Sequence, residues 1–294
     1  VLTLGLLLLS LASGCAFAGP KPTTISAHSQ GNQNFHGGAV NRQTLETSYR
    51  KVLQYVDDRG LVRYADLKTH RLVLDRFVSE LGRLERATYE AWPEPSQLAF
   101  WINAYNGLTL QVIVDHYPIR SSFLASLRFP RNSIRQISGA WDRIEFQVMN
   151  RKLTLDAIEH EILRKKFAEP RIHMALVCAA LGCPPLRREP YAGERLDGQL
   201  DDQTRRFLAS PSKFRVDRKR GTVGLSPIFD WYGGDFMAKY QPASGFHNRG
   251  ARLSAVLNFV GRYVSPGLRG FLVAGNYDVY YLDYDWSLNE QDHE

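Results

Sequence analysis

Residues 97–116 read QLAFWINAYNGLTLQVIVDH, with Pro118 two residues further on. This stretch has helical length and is apolar on nearly every side. Pro118 stops it, and Ser96 stands where an N-cap is expected. A helix without a polar face has to be enclosed by other elements. The chain must therefore build a thick core around it. With 294 residues, 44% hydrophobic and 12% aromatic, it has the material to do so. The same composition excludes a disordered tail, a collagen and a coiled-coil rod. Three cysteines are too few for a disulfide-built mini-domain.

The flanking segments predict what encloses that helix. Leu45, Tyr49, Val52, Leu53 and Val56 recur at helical spacing over 44–56, and residues 57–60 (DDRG) form a turn. A short strand is expected over 61–64. A second helix, capped by Asp66, is expected to run to Leu84. Residues 120–141 are basic and irregular, with Arg120, Arg128, Arg131 and Arg135 among aromatics. Ile144, Phe146 and Val148 alternate before a turn at Asn150-Arg151, and Leu153 and Leu155 return as a hairpin. Asp156 and Glu159 have the spacing of a capping box for a helix to about Lys166.

The run 172–178 (IHMALVC) is continuously apolar and of strand length, which predicts a central strand. Gly182-Cys183-Pro184-Pro185 must be a loop. A helix over 195–208 follows, then a hairpin (214–216 with 222–225) and a helical turn at 227–232. A helix over 251–263 and a strand over 279–284 complete the chain. No linker interrupts 43–294. The expectation is one α+β domain, with its long buried helix packed on a mainly antiparallel sheet.

The N-terminus reads differently. Residues 2–11 are almost purely apolar, and no charge precedes Lys21. The run is too short for a comfortable membrane helix, and 1–18 are expected to be a secretory signal. Ala16-Phe17-Ala18 fits ordinary signal cleavage. Ala12-Ser13-Gly14-Cys15 resembles a lipoprotein box, with Cys15 as the lipidated residue. The run lacks a basic n-region and the chain begins with Val, which points to an alternative start codon or a start further upstream. Residues 19–42 are polar and Gly-rich, a tether in which His28 and His36 are solvated. The expected location is secreted or periplasmic, with a lipid anchor as the only membrane contact. The net charge of +7 suits an anionic envelope. The basic clusters are scattered rather than striped, so no nucleic-acid partner is expected.

Residues that simple packing does not require mark the candidate chemistry. Asn103, Tyr105 and Asn106 interrupt the most apolar helix. Buried amides need partners, so they serve either as clamps on loop backbone or as binding residues. Glu159 and His160 adjoin on a short helix, and a carboxylate near a histidine is the usual general-base pairing; neighbours on a helix point about 100° apart, so these two would converge on a third group or else form an exposed polar face. His173 and Cys178 bracket the expected strand, and Cys183 follows in the loop. A cysteine nucleophile needs a base from another segment. The two cysteines are equally readable as small buried residues, as a disulfide, or as inert thiols. No metal site and no cofactor are expected. The paired short spacings of structural zinc are missing, Arg164 replaces the second histidine of an H-E-x-x-H pattern, and there is no G-x-G-x-x-G, P-loop or G-x-S-x-G.

Taken together, FWINAYN (100–106), LDAIEHEILR (155–164), IHMALVCAALGCPPLR (172–187), SPIFDWYGGDF (226–236) and LDYDWSLN (282–289) resemble the family known as domain of unknown function 547. The resemblance runs from about residue 50 to the end. It implies that Asn103, Tyr105, Asn106, Glu159, His160, His173, Cys178, Cys183, Trp231, Asp235, Tyr284 and Trp286 occupy the family's motif positions. It also implies secretory or lipoprotein signals like the one read here. By analogy the fold looks like the papain and transglutaminase group, although there the nucleophilic cysteine begins the core helix, and this helix has none.

Two functions follow as expectations. The first is a thiol-dependent hydrolase or acyl transferase of the envelope. Cys178 or Cys183 would be nucleophile, His160 or His173 base, Glu159 the orienting carboxylate, and Asn103 or Asn106 the support for oxyanion or substrate. The second is a non-catalytic glycan- or peptide-binding module lined by Trp101, Tyr105, Trp231, Tyr232 and Trp286. A sulfur close to a histidine in an open cleft favours the first. Buried or mutually bonded cysteines favour the second.

Overall fold

The computed structural model describes residues 38–246 and 249–291. The signal, Cys15, His28, His36 and most of the tether lie outside the described residues. The tether's last residues, Asn41 and Arg42, belong to the fold. Asn41 caps the first helix, Arg42–Val52, through a capping box with Thr44.

The core helix spans Glu94–His116, and every residue from Leu98 to Val114 is buried. It starts earlier than the sequence suggests, because Pro95 sits in its first turn and Ser96 does not cap it. Proline fits there since its fixed φ is already helical and the position needs no N–H. Helices Arg42–Val52, Tyr64–Thr69, Leu72–Arg83 and Leu196–Ala209 pack around it, with the turns Ala157–Leu163 and Gly193–Arg195. Gly107 lets Leu72–Arg83 approach closely: a Cβ there would collide with the Phe77 ring. The chain is α+β, but the surface that buries the long helix is helical rather than a sheet.

The sheets are small and peripheral to that helix. Strands β1 (Phe146–Val148) and β2 (Arg151–Leu153) form the expected hairpin, with Phe146 opposite Leu153. Its turn is Met149-Asn150, with φ of 51° and 57°. Both residues are left-handed, as a two-residue type I′ turn requires. The turn amides bond Leu81 and Gly82 carbonyls, which ties the hairpin to Leu72–Arg83. Strands β3 (Phe214–Asp217) and β4 (Thr222–Leu225) form the second hairpin, and β5 (Asp278–Tyr281) adds to β4 in parallel. A helix that the sequence reading did not include, Pro266–Ala274, is capped by Ser265. A second apolar cluster, around Phe207, Phe229, Phe236 and Phe259, joins β3–β5 to the C-terminal helices.

Four local expectations are corrected. The helix expected from Asp66 to Leu84 is two helices, Tyr64–Thr69 and Leu72–Arg83. The break falls where the Thr69 hydroxyl and the His70 ring turn back onto the Ala65 and Asp66 carbonyls. The strand expected at 61–64 shrinks to isolated bridges from Val62 to Val56 and Glu290. The Asp156–Glu159 capping box does not form. Thr154 Oγ1 accepts from Ala157 N instead, at 3.1 Å, and the turn Ala157–Leu163 is a π-helix.

The fourth correction matters most. Residues 172–178 are not a strand: Pro170–Met174 is a 3₁₀ helix, and 176–178 have no regular structure. The run is apolar because Ile172, Met174, Ala175 and Val177 are buried, and burial alone does not distinguish strand from coil. In place of a sheet ladder, Asn106 serves the backbone. Its Oδ1 accepts from Val177 N at 3.0 Å, and its Nδ2 donates to Ala175 O at 3.0 Å.

Candidate functional site

A cleft of about 360 Å³ opens where the core helix, the π-turn, the 173–184 segment, the helical turn Ile228–Trp231 and the C-terminal tail meet. One wall is aromatic. Trp231 is 46% exposed, a high value for a tryptophan. Its ring packs on Tyr284 at 4.8 Å and on Trp286 at 6.1 Å, and Trp286 meets Trp141 at 6.4 Å. Arg135 lies over Phe129, Trp141 and Trp286 at 4.5, 5.6 and 5.2 Å. Burial, then the charge of Arg128, lowers its pKa. Its signal in the sequence is an arginine among aromatics, without more.

Acids and histidines line the cleft as well. The π-turn places Glu159 and His160 on the cleft. Single π-turns concentrate at functional sites. Glu159 is buried and accepts from the Tyr105 hydroxyl at 3.0 Å, and its charge also acts on Tyr232. Burial, then the Glu159 charge, raises the pKa of both tyrosines, so they remain donors. Glu159 is thus bonded to neither histidine, which corrects its expected role as the orienting carboxylate. Arg164 Nη1 donates to His160 Nδ1 at 3.0 Å, and Asp156 lies 3.9 Å from His160 Nε2. Burial raises the Asp156 pKa against the opposing pull of His160.

His173 also lines the cleft, although its side chain is almost fully covered. Its Nε2 lies 2.8 Å from Asp235 Oδ2, and its ring stacks on Tyr232 at 4.0 Å. Asp235 in turn accepts a bidentate pair from Arg164, Nε at 2.7 Å and Nη2 at 2.8 Å. Burial pushes the Asp235 pKa up. The hydrogen bonds from Arg164 and His173, with their charges, outweigh that and hold it well below the usual carboxylate range. Arg164 thus connects both histidines. Reasoning from sequence gave Asp235 no chemical role beyond its motif position, because its partners lie 62 and 71 residues away.

Cys178 and Cys183 form a disulfide that faces the cleft. Neither is a thiolate in this state; of the readings left open for the pair, the disulfide is the one this structure has. The loop between them is shaped for the bond. Ala179 is left-handed (φ 55°), Cys183 N bonds Ala180 O at 3.0 Å, and the Cα atoms come within 6.2 Å. Leu181 and Gly182 amides bond the Ser287 and Asp285 carbonyls at 2.8 and 2.7 Å, which fastens the loop to the C-terminal tail. The tail places the Tyr284 hydroxyl 3.1 Å from each sulfur. A Cβ at residue 182 would lie 2.7 Å from the Tyr284 ring, so only glycine admits this contact.

The remaining candidates divide. Tyr105, Trp231, Tyr232 and Trp286 line the cleft. Asn103 and Asn106 do not: they are backbone clamps. Asn103 Nδ2 donates to Tyr191 O at 2.8 Å, and its Oδ1 accepts from Tyr191 N at 2.9 Å, the same two-handed pattern as Asn106. Their binding or oxyanion role is thereby corrected, since each amide spends donor and acceptor on neighbouring chain. Trp101 is buried and donates to Tyr89 Oη at 2.8 Å, away from the cleft. Among the described residues no three His, Cys, Asp or Glu side chains are grouped to hold a metal ion, and no helix is long and apolar enough to cross a membrane.

Fold and cleft together define an α+β protein with a solvent-open site lined by aromatics and by a disulfide. Residues 89–208 match the family described as "Protein of unknown function, DUF547", and the chain is a DUF547 domain-containing protein. No curated protein and no solved structure matches it. The analogy to papain and transglutaminase finds no support: the core helix carries no cysteine.

Proposed function

We propose that this is a non-catalytic glycan-binding protein of the cell envelope in its disulfide-bonded state, and that the cleft is its binding site. The observation that carries this reading is the exposed Trp231 ring beside Tyr284 and Trp286, in a cleft that Asp156, Glu159 and His160 also line. Exposed contiguous aromatics are uncommon unless something covers them. Flat rings give contact area at low entropic cost, while carboxylate and imidazole groups accept from and donate to hydroxyls. The mutually bonded cysteines weigh against thiol catalysis here. The apolar N-terminal run and the net positive charge support an envelope location.

The test is titration of the purified chain with soluble cell-wall glycan fragments, followed by tryptophan fluorescence and calorimetry. Saturable binding that is lost in Trp231→Ala supports the reading. Binding of stem peptides without sugar, or of neither, overturns it.

A second reading has its own observation: His160 and His173 share the cleft with both sulfurs. A reduced Cys178 would then be a candidate nucleophile for hydrolysis or acyl transfer. Turnover of an envelope substrate that appears only after reduction, and disappears in Cys178→Ser, would favour it over pure binding.

A further inference from the structure

A second cavity, of about 400 Å³, lies on the far side of the disulfide loop, with Cys183 and Pro184 common to both. Its polar lining is cationic. Lys213, Arg206 and Arg59 face it, with the Ser210 and Ser212 hydroxyls, and no carboxylate lines it. Arg59 is paired with Asp57 at 3.0 Å. Arg206 and Lys213 have no carboxylate partner among the described residues. Arg206 donates to the Asp58 carbonyl at 2.6 Å, and Lys213 to the Leu181 carbonyl.

Lys213 is the unusual member. It is only 6% exposed, and a buried ammonium is costly unless a counter-charge accompanies it. An ammonium has three donors, and here one is used. Burial lowers its pKa to about 8, opposed by Asp285. Asp285 is itself exposed and does not line the cavity.

We propose that this cavity binds a phosphate-bearing small molecule, with Lys213 and Arg206 as its charge partners. Two cations without a carboxylate in contact match a dianionic phosphate better than a monoanionic carboxylate. A guanidinium takes two phosphate oxygens and an ammonium a third. The Ser210 and Ser212 hydroxyls bond each other at 2.9 Å, which leaves one neutral donor for a ligand. The site is distinct from the aromatic cleft, so it stands or falls independently of glycan binding.

Calorimetry of the purified chain in a phosphate-free buffer tests it, with inorganic phosphate, glycerol 3-phosphate and acetate as titrants. The expected result is saturable binding of both phosphates and none of acetate. Lys213→Met and Arg206→Gln should each weaken phosphate at least about tenfold, with glycan titration of the other cleft unchanged. Co-sedimentation with vesicles containing phosphatidic acid, whose phosphomonoester headgroup can be dianionic, separates the sources. A Lys213-dependent shift assigns the phosphate to a lipid headgroup, and its absence beside glycerol 3-phosphate binding assigns it to a free solute. Should Lys213→Met lose its near-ultraviolet circular dichroism, Arg206→Gln decides. No saturable phosphate binding, equal binding of acetate, or an unchanged affinity in the folded variants would overturn the site.

Discussion

His173 Nε2 and Asp235 Oδ2 lie 2.8 Å apart, and the Arg164 guanidinium closes on the same carboxylate. This cluster around the Asp235 carboxylate makes stability depend on acid in a definite direction. The folded pKa of Asp235 is depressed, so the folded state binds its proton less well than the unfolded one. Its contribution is complete above the unfolded value near about 4 and is lost as pH falls through the folded value. Asp235→Asn is expected to cost about 2–3 kcal/mol at pH 7, with the difference from wild type narrowing below about pH 4. Urea midpoints at pH 7 and pH 3 measure both. An equal loss at the two pH values would refute the electrostatic account.

Trp231 is exposed and its contacts are on the cleft side, so its removal should separate binding from folding. Trp231→Ala is expected to lose about 2 kcal/mol of glycan affinity, roughly thirtyfold. Its thermal stability should change by less than about 1 kcal/mol. Calorimetry and a thermal melt on the same sample provide the comparison.

The Cys178–Cys183 bond closes a short loop, with five positions of separation. Loop-closure entropy for so few residues amounts to about 2 kcal/mol. Cys178→Ser with Cys183→Ser should lower unfolding stability by that amount without changing the far-ultraviolet spectrum. A reducing agent should destabilise the wild type and leave the double variant as it was.

Asn106 spends both ends of its amide on buried backbone, Ala175 O and Val177 N. Asn106→Ala leaves both groups without their partner and should cost about 2–4 kcal/mol. Asn106→Asp keeps the acceptor for Val177 N and removes the donor for Ala175 O. It should also destabilise, by the cost of a carboxylate facing a carbonyl. If either variant matched wild type in a urea melt while losing ligand, Asn106 would be a binding residue after all.

The sequence by itself determined the elements whose causes are local. The apolar band of the core helix has no polar face to expose, so burial follows whatever surrounds it. The two hairpins, the helical turn at 228–231 and the helix at 196–209 rest on periodicity and turn chemistry within a few residues. Asn103 and Asn106 announced a need for partners, because amides in an apolar helix must be satisfied.

The partners themselves were decided only by tertiary structure. Tyr284 reaches the two sulfurs across 106 and 101 positions of chain, Asp235 reaches His173 across 62, and no spacing rule acts at that range. The apolar 172–178 run shows why. Hydrophobicity reports that a segment is buried, whereas strand or coil depends on where its backbone hydrogen bonds go. Here the Asn106 side chain takes the place of a neighbouring strand, and the segment that looked like a sheet became the bent wall of the cleft.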